Sequence, residues 1–169
     1  REVLELINKA LGPVFFELVE KTTESIRLCA PLIKEEIMKR VFENKQDRVR
    51  IDVVTDLNVE NFQLGLSDIS ALEMVQEKQG TIFFNSRLNA KLYIFDSKYS
   101  IVTSANLSPT AFENIFEYGI VFDNKDLVKQ TVKDFYSFCS SDNAGLVTSE
   151  DITSLKKILK RIPLFPVIF

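Results

Sequence analysis

Apolar residues recur along this chain with two different periods, and the period changes after Gly80. Apolar residues spaced three or four apart predict helices over residues 13–22, 32–42, 67–78 and 125–139. Ser67 stands at a position typical of a helix N-cap. Shorter runs rich in valine, isoleucine and phenylalanine predict strands over residues 24–31, 48–55, 81–85, 89–96, 100–105 and 117–123. Alternating strands and helices, followed by a cluster of strands and one more helix, predict an α/β domain with a mixed sheet covered by helices.

The last part of the chain predicts a helix and an apolar tail that prolines interrupt, Pro163 to Phe169. An apolar end of this kind usually docks on its own domain, on a partner or on a further domain. We therefore expect a main domain over residues 1–145 and a C-terminal helix and tail over residues 146–169.

The composition of the 169 residues is that of an ordinary globular domain, with 46% hydrophobic residues and a net charge of −3. No apolar run approaches the roughly 20 residues of a membrane span, and the first ten residues lack the apolar segment of a signal peptide. We expect a cytoplasmic protein with no membrane contact. Two cysteines, Cys29 and Cys139, are too few for a disulfide framework. They are expected to be core thiols.

The absence of histidine narrows the possible chemistry. It removes Ser-His-Asp and Cys-His catalysis, most zinc sites and histidine general bases. Any reaction must use lysine, acidic, hydroxyl or thiol side chains.

Polar side chains are concentrated in residues 89–106, NAKLYIFDSKYSIVTSAN. Residues two apart on a strand share a face, so Asn89 and Lys91 are expected to point the same way, either to solvent or into a site. The spacing N-x-K-x4-D-x6-T-S-x-N resembles the signature of the phospholipase D superfamily, H-x-K-x4-D-x6-G-[ST]-x-N. The matching positions are Lys91, Asp96, Ser104 and Asn106, and the two departures are Asn89 for the histidine and Thr103 for the first small residue.

This resemblance extends over residues 13–140 and implies a mixed sheet flanked by helices on both faces. Glu117 falls where nuclease-type members carry a glutamate that orients the histidine, and residues 55–75 resemble the branch found beside bacterial restriction and helicase genes. In the family, one histidine attacks phosphorus and a second, from another copy of the motif, protonates the leaving oxygen. The resemblance implies no metal and no cofactor. This chain has one copy of the motif, so the resemblance implies a homodimer whose two subunits each supply one copy.

The candidate site residues have distinct expected roles. Lys91 is expected to place a positive charge against the phosphoryl oxygens, and Ser104 and Asn106 to donate hydrogen bonds to them. Asp96 is either structural or salt-bridged. Asn89 is neither a useful nucleophile nor a base near neutral pH, so the chain is expected to bind phosphodiesters and hardly cleave them. The Asn89 position is either an engineered change or a natural degeneration.

The leading hypothesis is a metal-independent nuclease-type phosphodiesterase, inactive as written, with DNA the favoured substrate. The alternatives are a non-catalytic module that binds phosphate or nucleic acid, and a protein-interaction module with a vestigial site. Three smaller hypotheses remain open: a Ser104–Lys91 dyad, a basic nucleic-acid patch on the C-terminal helix and a metal site. The residues involved in the last two are Lys156, Lys157, Lys160 and Arg161 for the patch, and Asp52, Asp56 and Asp123 for the metal.

Overall fold

The computed structural model describes residues 2–162, and the apolar tail over residues 163–169 lies outside them. Eight strands form one sheet in the order β1-β7-β6-β5-β2-β3-β4-β8. Their bounds are β1 Leu4–Ile7, β2 Ser25–Cys29, β3 Arg50–Thr55, β4 Thr81–Asn85, β5 Leu92–Phe95, β6 Tyr99–Thr103, β7 Gly119–Phe122 and β8 Ala144–Leu146.

Six helices and one π-helical turn complete the described part of the chain. They are α1 Gly12–Lys21, α2 Glu35–Asn44, α3 Val59–Gln63, α4 Ile69–Glu77, α5 Lys125–Ser140, α6 Ser149–Arg161 and the turn Thr110–Asn114. Buried side chains of all the helices except α5 join the core on one face of the sheet, and α5 packs on the other face. The fold is therefore the predicted mixed sheet with helices on both faces.

The sheet changes direction at its centre. β2, β3 and β4 run parallel and are joined by helical crossovers. β5 pairs antiparallel with β2 and continues into the β5–β6–β7 meander, and β1 pairs antiparallel with the outer side of β7. Because β5 is antiparallel to β2, the start of β5 lies at the end of the sheet where the three parallel strands finish. Loops at the carboxyl ends of parallel strands are the usual place for ligand sites in α/β sheets.

Aromatic rings fill the larger core. Phe15 lies edge-on to Phe95, Tyr93 and Phe112, with ring centroids 4.9 to 5.5 Å apart. The Tyr93 hydroxyl donates a 2.6 Å hydrogen bond to the Ala105 carbonyl, and burial holds the pKa of this phenol well above its usual value. Such contacts tie β5 to the segment after β6 by packing as well as by strand pairing.

The smaller core, under α5, contains both cysteines as buried free thiols. Burial raises the pKa of each thiol to about 12. Both therefore remain protonated and unreactive near neutral pH, as expected of core thiols.

Several predicted boundaries shift in the structure. The strand predicted over 89–96 is limited to β5, so Asn89 and Lys91 lie in the segment that precedes it. The helix predicted from residue 32 begins at Glu35, because the preceding residues pair with the segment around Leu107. The prediction that Ser67 caps α4 was wrong. Asp68 is the N-cap residue, and the Ser67 hydroxyl instead accepts a 3.0 Å hydrogen bond from the Ile33 amide.

The predicted boundary near residue 145 falls inside β8, which pairs with β4. Beyond it, α6 buries Ile152 and Leu155 in the larger core. Its first turn is capped by a reciprocal pair of hydrogen bonds between Thr148 and Asp151. Residues 149–161 are thus packed on the same domain. Among the described residues, no helix is long and apolar enough to cross a membrane.

Candidate active site

Buried neighbours anchor the segment that carries Asn89 and Lys91 to the smaller core. Leu88 and Ala90 pack into the core under α5, and the Cys29 thiol lies 3.6 Å from the Ala90 carbonyl, to which it donates. Asn85, at the end of β4, donates to the Phe138 carbonyl at 2.9 Å. The alternation of buried and accessible residues leaves Asn89 exposed and Lys91 half-exposed at the surface.

Lys91 and Asn89 are in direct contact. The Lys91 ammonium donates to the Asn89 backbone carbonyl at 3.1 Å and to its side-chain Oδ1 at 3.3 Å. Within residues 2–162, the Asn89 amide nitrogen has no acceptor and Lys91 has no carboxylate within ion-pair distance. The pair therefore presents a positive charge and an amide N–H₂ group to the solvent side of the site.

Asn106 is oriented in the same manner on the neighbouring segment. Its Oδ1 accepts a 3.3 Å hydrogen bond from the Leu32 amide, and Ala105 and Leu107 on either side of it are buried. Because the oxygen is engaged inside the protein, the Asn106 N–H₂ group is the end left for a ligand. In the part of the chain that the structure describes, this nitrogen also has no acceptor.

Ser104 and Glu117 form a pair beside these donors. The Ser104 hydroxyl donates to the Glu117 carboxylate, accepts from the Tyr118 amide at 3.0 Å and lies 3.4 Å from the Tyr118 carbonyl. Its single hydrogen is thus used within the protein. The prediction that Ser104 donates to a phosphoryl oxygen is not supported by this geometry, and Ser104 instead positions Glu117.

The predicted site residues are brought together with one exception. The Thr103 amide donates to the Lys91 carbonyl at 3.3 Å, which places Lys91 beside Ser104 and, through it, beside Glu117. Asn106 follows two residues later on the same segment. Asp96 lies at the opposite end of β5, about 16 Å away along an extended chain.

Asp96 has a structural role at that end. Its carboxylate accepts from the backbone amides of Thr23, Glu24 and Ser25 at 2.7 to 3.1 Å and from the Thr23 hydroxyl at 3.3 Å. Burial alone would raise the pKa of Asp96, but these hydrogen bonds outweigh it and hold the pKa below its usual value. Asp96 therefore lies outside the cluster of candidate site residues around Lys91, and its hydrogen bonds hold the residues at the start of β2.

Thr103, the second departure from the signature, uses its hydroxyl for hydrogen bonds within the protein. Its hydroxyl donates to the Tyr118 carbonyl at 3.2 Å and accepts from the Ala105 amide at 3.2 Å. It pairs with Gly119 across β6 and β7, where a Cβ on Gly119 would lie 2.7 Å from the Thr103 Cβ. The glycine makes room for the larger residue on the neighbouring strand.

The alternative sites lack the geometry that they need. No group of three or more acidic or thiol side chains in residues 2–162 could hold a metal ion. Asp56 and Asp123 accept from nearby backbone amides, those of Asn58 and Val3. No hydrogen bond joins Ser104 to Lys91 among the described residues. The basic cluster on α6 follows an acidic first turn, and Lys156 pairs with Glu73 at 3.2 Å.

Three parts of the site were not predicted from the sequence. The Leu32 amide orients Asn106, the backbone of Tyr118 holds Ser104, and Asn85 with Cys29 supports the 86–91 segment. Only Asn85 carries a sequence signal, since an asparagine between a strand and a turn often bonds to the backbone two residues on. It does so here, accepting from the Arg87 amide at 2.9 Å.

Solved structures share this fold. Nuc, a phospholipase D family member from Salmonella typhimurium, matches with a TM-score of 0.69 and 18% identity over 88% of this chain and 100% of that one. NucT from Helicobacter pylori matches with a TM-score of 0.69 and 15% identity over 87% of this chain and 100% of that one. TrmBL2, an archaeal chromatin protein, matches with a TM-score of 0.57 and 13% identity over 81% of this chain and 52% of that one.

No curated protein sequence matches the chain. The family model described as "Cardiolipin synthase, PLD-like domain" matches residues 15–139, which include the whole 89–117 site. With the eight-stranded mixed sheet and the structural matches, this match shows that the chain belongs to the phospholipase D-like superfamily.

Proposed function

We propose that this chain binds a phosphodiester at Lys91, Asn89 and Asn106, and that its site is a nuclease-type site from which Asn89 has removed turnover. One observation carries the proposal. Both asparagine side chains have their oxygen engaged by the protein, by Lys91 and by the Leu32 amide, so an ammonium and two N–H₂ groups remain as donors. An anion with several acceptor oxygens, such as a phosphodiester, matches a set of donors of this kind.

The proposed loss of turnover follows from the chemistry of the carboxamide. Cleavage requires a nucleophile that attacks phosphorus while the phosphorus–oxygen bond to the leaving group breaks, and an acid that protonates the leaving oxygen. The neutral carboxamide of Asn89 does neither, although its N–H₂ group can hold a phosphoryl oxygen. Lys91 would stabilise the charge that develops on those oxygens without a metal ion.

A second copy of the chain is the proposed partner, because a two-step reaction needs an attacking and a protonating residue, and one chain has one such position. Support comes from an apolar strip of Leu6, Ile120 and Val102, which are neighbours across β1, β7 and β6 on the face that α5 covers elsewhere. Leu6 is 64% exposed and Val102 45% exposed. Val102 directly precedes the Thr103–Ser104 part of the site, so a copy that covers this apolar strip would lie beside it.

Nucleic acid is the proposed ligand. One structure with this fold is described as that of a chromatin protein with a novel mode of DNA binding, which supports DNA as a ligand that the fold can accept. A non-catalytic module that binds nucleic acid is the second candidate, because Asn89 keeps a donor in the site while removing the nucleophile.

Restoring the imidazole tests the proposal. Asn89→His should raise cleavage of a chromogenic phosphodiester and of plasmid DNA by on the order of 10³-fold or more, since loss of a covalent nucleophile costs up to about 10⁶ in turnover. The reaction is followed with a chelator present, because the proposed mechanism uses no metal. Sedimentation of the same preparations should show dimers.

Asn89→Gln is the matched control, because it keeps a carboxamide and adds no nucleophile. The double variant Asn89→His with Lys91→Ala should again show no cleavage of the phosphodiester. If Asn89→His is as inactive as the original chain while both bind DNA, the binding module is the better description.

A further inference from the structure

The loop before β7 presents two aromatic side chains that are largely exposed in the described structure. Phe116 is 93% exposed and Tyr118 is 60% exposed, and neither ring stacks on another described aromatic residue. In residues 2–162 most of the other aromatic side chains fill the two cores or lie partly buried against them. Tyr136 is 42% exposed, but it packs edge-on to Phe135 and accepts a hydrogen bond from Arg27. An exposure of 93% for a phenylalanine beside a candidate site requires an explanation.

Backbone hydrogen bonds before and after the loop fix the segment that carries these rings. The Ile115 amide donates to the Thr110 carbonyl at 3.2 Å, which closes the π-helical turn before the loop. After the loop, the Tyr118 amide donates to the Ser104 hydroxyl and its carbonyl accepts from the Ser104 amide, both at 3.0 Å. Phe116 therefore lies on a short segment that is held at each end.

The direction of Phe116 follows from Glu117. Glu117 turns inward to accept from the Ser104 hydroxyl, while the residues on both sides of it are exposed. In extended backbone, neighbouring side chains point to opposite sides and residues two apart share a side. Phe116 and Tyr118 thus form an aromatic rim, defined by these two residues, one residue away from the carboxylate that adjoins the phosphate donors.

From this placement we propose that the aromatic rim is a base-stacking platform, and that the ligand of the site is single-stranded nucleic acid. The inference rests on the proposed phosphodiester site. A phosphate held at Lys91 brings its attached base to the neighbouring surface, and a flat aromatic face there can stack on any base. In a duplex each base face is already covered by the next base, so a platform of this kind favours an unpaired strand.

The positive charge of Lys91 and the aromatic rim together favour single-stranded nucleic acid over a purely apolar partner. The exposed rings flank Glu117, whose carboxylate accepts from the Ser104 hydroxyl. Ser104 follows Thr103, whose amide donates to the backbone carbonyl of Lys91, the residue that carries the ammonium. A cationic groove lined with aromatic side chains is the usual arrangement in proteins that bind single strands without sequence preference.

The test measures equilibrium binding of the full chain, with Asn89 in place, to three labelled DNA probes. These are a twelve-residue oligothymidylate, a twelve-residue strand of the same charge with abasic sugars, and a duplex of twelve base pairs. The intact chain should bind the oligothymidylate about 10-fold more tightly than the abasic strand, as expected for stacking of one base on an aromatic ring. It should also bind it more tightly than the duplex.

Three variants separate the ring from the phosphate site. Phe116→Ala should lower oligothymidylate affinity to that of the abasic strand, and Phe116→Trp should preserve the preference because it keeps an aromatic face. Lys91→Ala should lower the affinity for both the oligothymidylate and the abasic strand. Ile158→Ala, which removes an exposed apolar side chain on α6, should change neither affinity.

Each remaining outcome contradicts the inference in a recognisable way. Equal binding of the two single strands by the intact chain overturns the platform and leaves the phosphate site standing. Failure to bind either strand overturns both proposals. Conversion of a dimer to a monomer by Phe116→Ala, measured by sedimentation, assigns the ring to contact with a second copy and overturns the stacking role.

Discussion

The two ends of β5 carry matching polar residues of one sequence signature and use them in opposite ways. At the far end, Asp96 accepts four hydrogen bonds, three of them from backbone amides. At the near end, Lys91 and Asn89 bond mainly to each other and present their remaining donors outward. A side chain whose hydrogen bonds end inside the protein supports the fold, whereas one with unused donors at a loop is available to a ligand.

The backbone also differs between the two ends of β5, with a tight turn at the far end and longer loops at the near end. Asp96 and Ser97 have φ of +58° and +48°, and the Lys98 amide donates to the Phe95 carbonyl at 3.0 Å, so the β5–β6 hairpin closes with a tight turn. Aspartate tolerates this left-handed conformation better than most residues. Asp96 therefore lies in the turn of this hairpin and bonds through its side chain to the start of β2, whereas the near end of β5 is built from longer loops.

The largest expected effect is a loss of stability when the hydrogen bonds of Asp96, at the far end of β5, are removed. Asp96→Ala leaves three backbone amides without their acceptor and places alanine at positive φ, so unfolding free energy should fall by about 3 kcal/mol. Denaturant titration measures it. Asp123→Ala is the matched control, because that carboxylate follows β7 and accepts from a single amide, that of Val3. Asp123→Ala should lower the unfolding free energy by about 1 kcal/mol. A larger decrease for Asp123→Ala than for Asp96→Ala would contradict the structural role assigned to Asp96.

This prediction also shows what the sequence could and could not indicate. The spacing of the signature identified Asp96 correctly as a fixed position, but not its partners, because Thr23, Glu24 and Ser25 are more than seventy residues away. Five residues of extended chain place Lys91 and Asp96 about 16 Å apart, a distance that the spacing of the signature does not express. The bond between Ser104 and Glu117 could not be read from the sequence for a similar reason. The pairing of β6 with β7 brings the Glu117 carboxylate to the Ser104 hydroxyl.

The fold was predictable where one face of an element is buried. Residues 13–22, 48–55 and 125–139 show helical or strand periodicity because they bury that face, and each was confirmed with small boundary shifts. β1 and β8 were missed because they are edge strands of four and three residues. Their burial patterns, with Leu4, Leu6 and Leu146 exposed, carry no alternation that a sequence could reveal.

A smaller effect is the pH dependence that Asp96 imposes on stability. The pKa of Asp96 is lower in the folded chain than its ordinary value of 3.8, so its carboxylate stabilises the fold above that pH. This contribution is lost as the pH falls through the lowered folded pKa. Asp96→Asn keeps a residue suited to positive φ and removes the charge. Its stability should change less between pH 5 and pH 3 than that of the original chain, in parallel urea titrations. Identical slopes would show that the charge of Asp96 has no role.

The smallest expected change in stability belongs to the near end, where it accompanies a clear change in binding. Lys91→Met keeps the length of the side chain and loses only exposed contacts to Asn89, so unfolding free energy should move by no more than about 0.5 kcal/mol. Affinity for a single-stranded oligonucleotide should fall about 10-fold, and the slope of log affinity against log salt should become shallower by about one, as expected when one phosphate contact is removed. Lys98→Met is the matched control at the other end of β5, and it should leave both affinity and salt slope unchanged. Equal losses of affinity for the two variants would mean that the charge acts through the general field of the protein, and the functional difference between the two ends of β5 would then not hold.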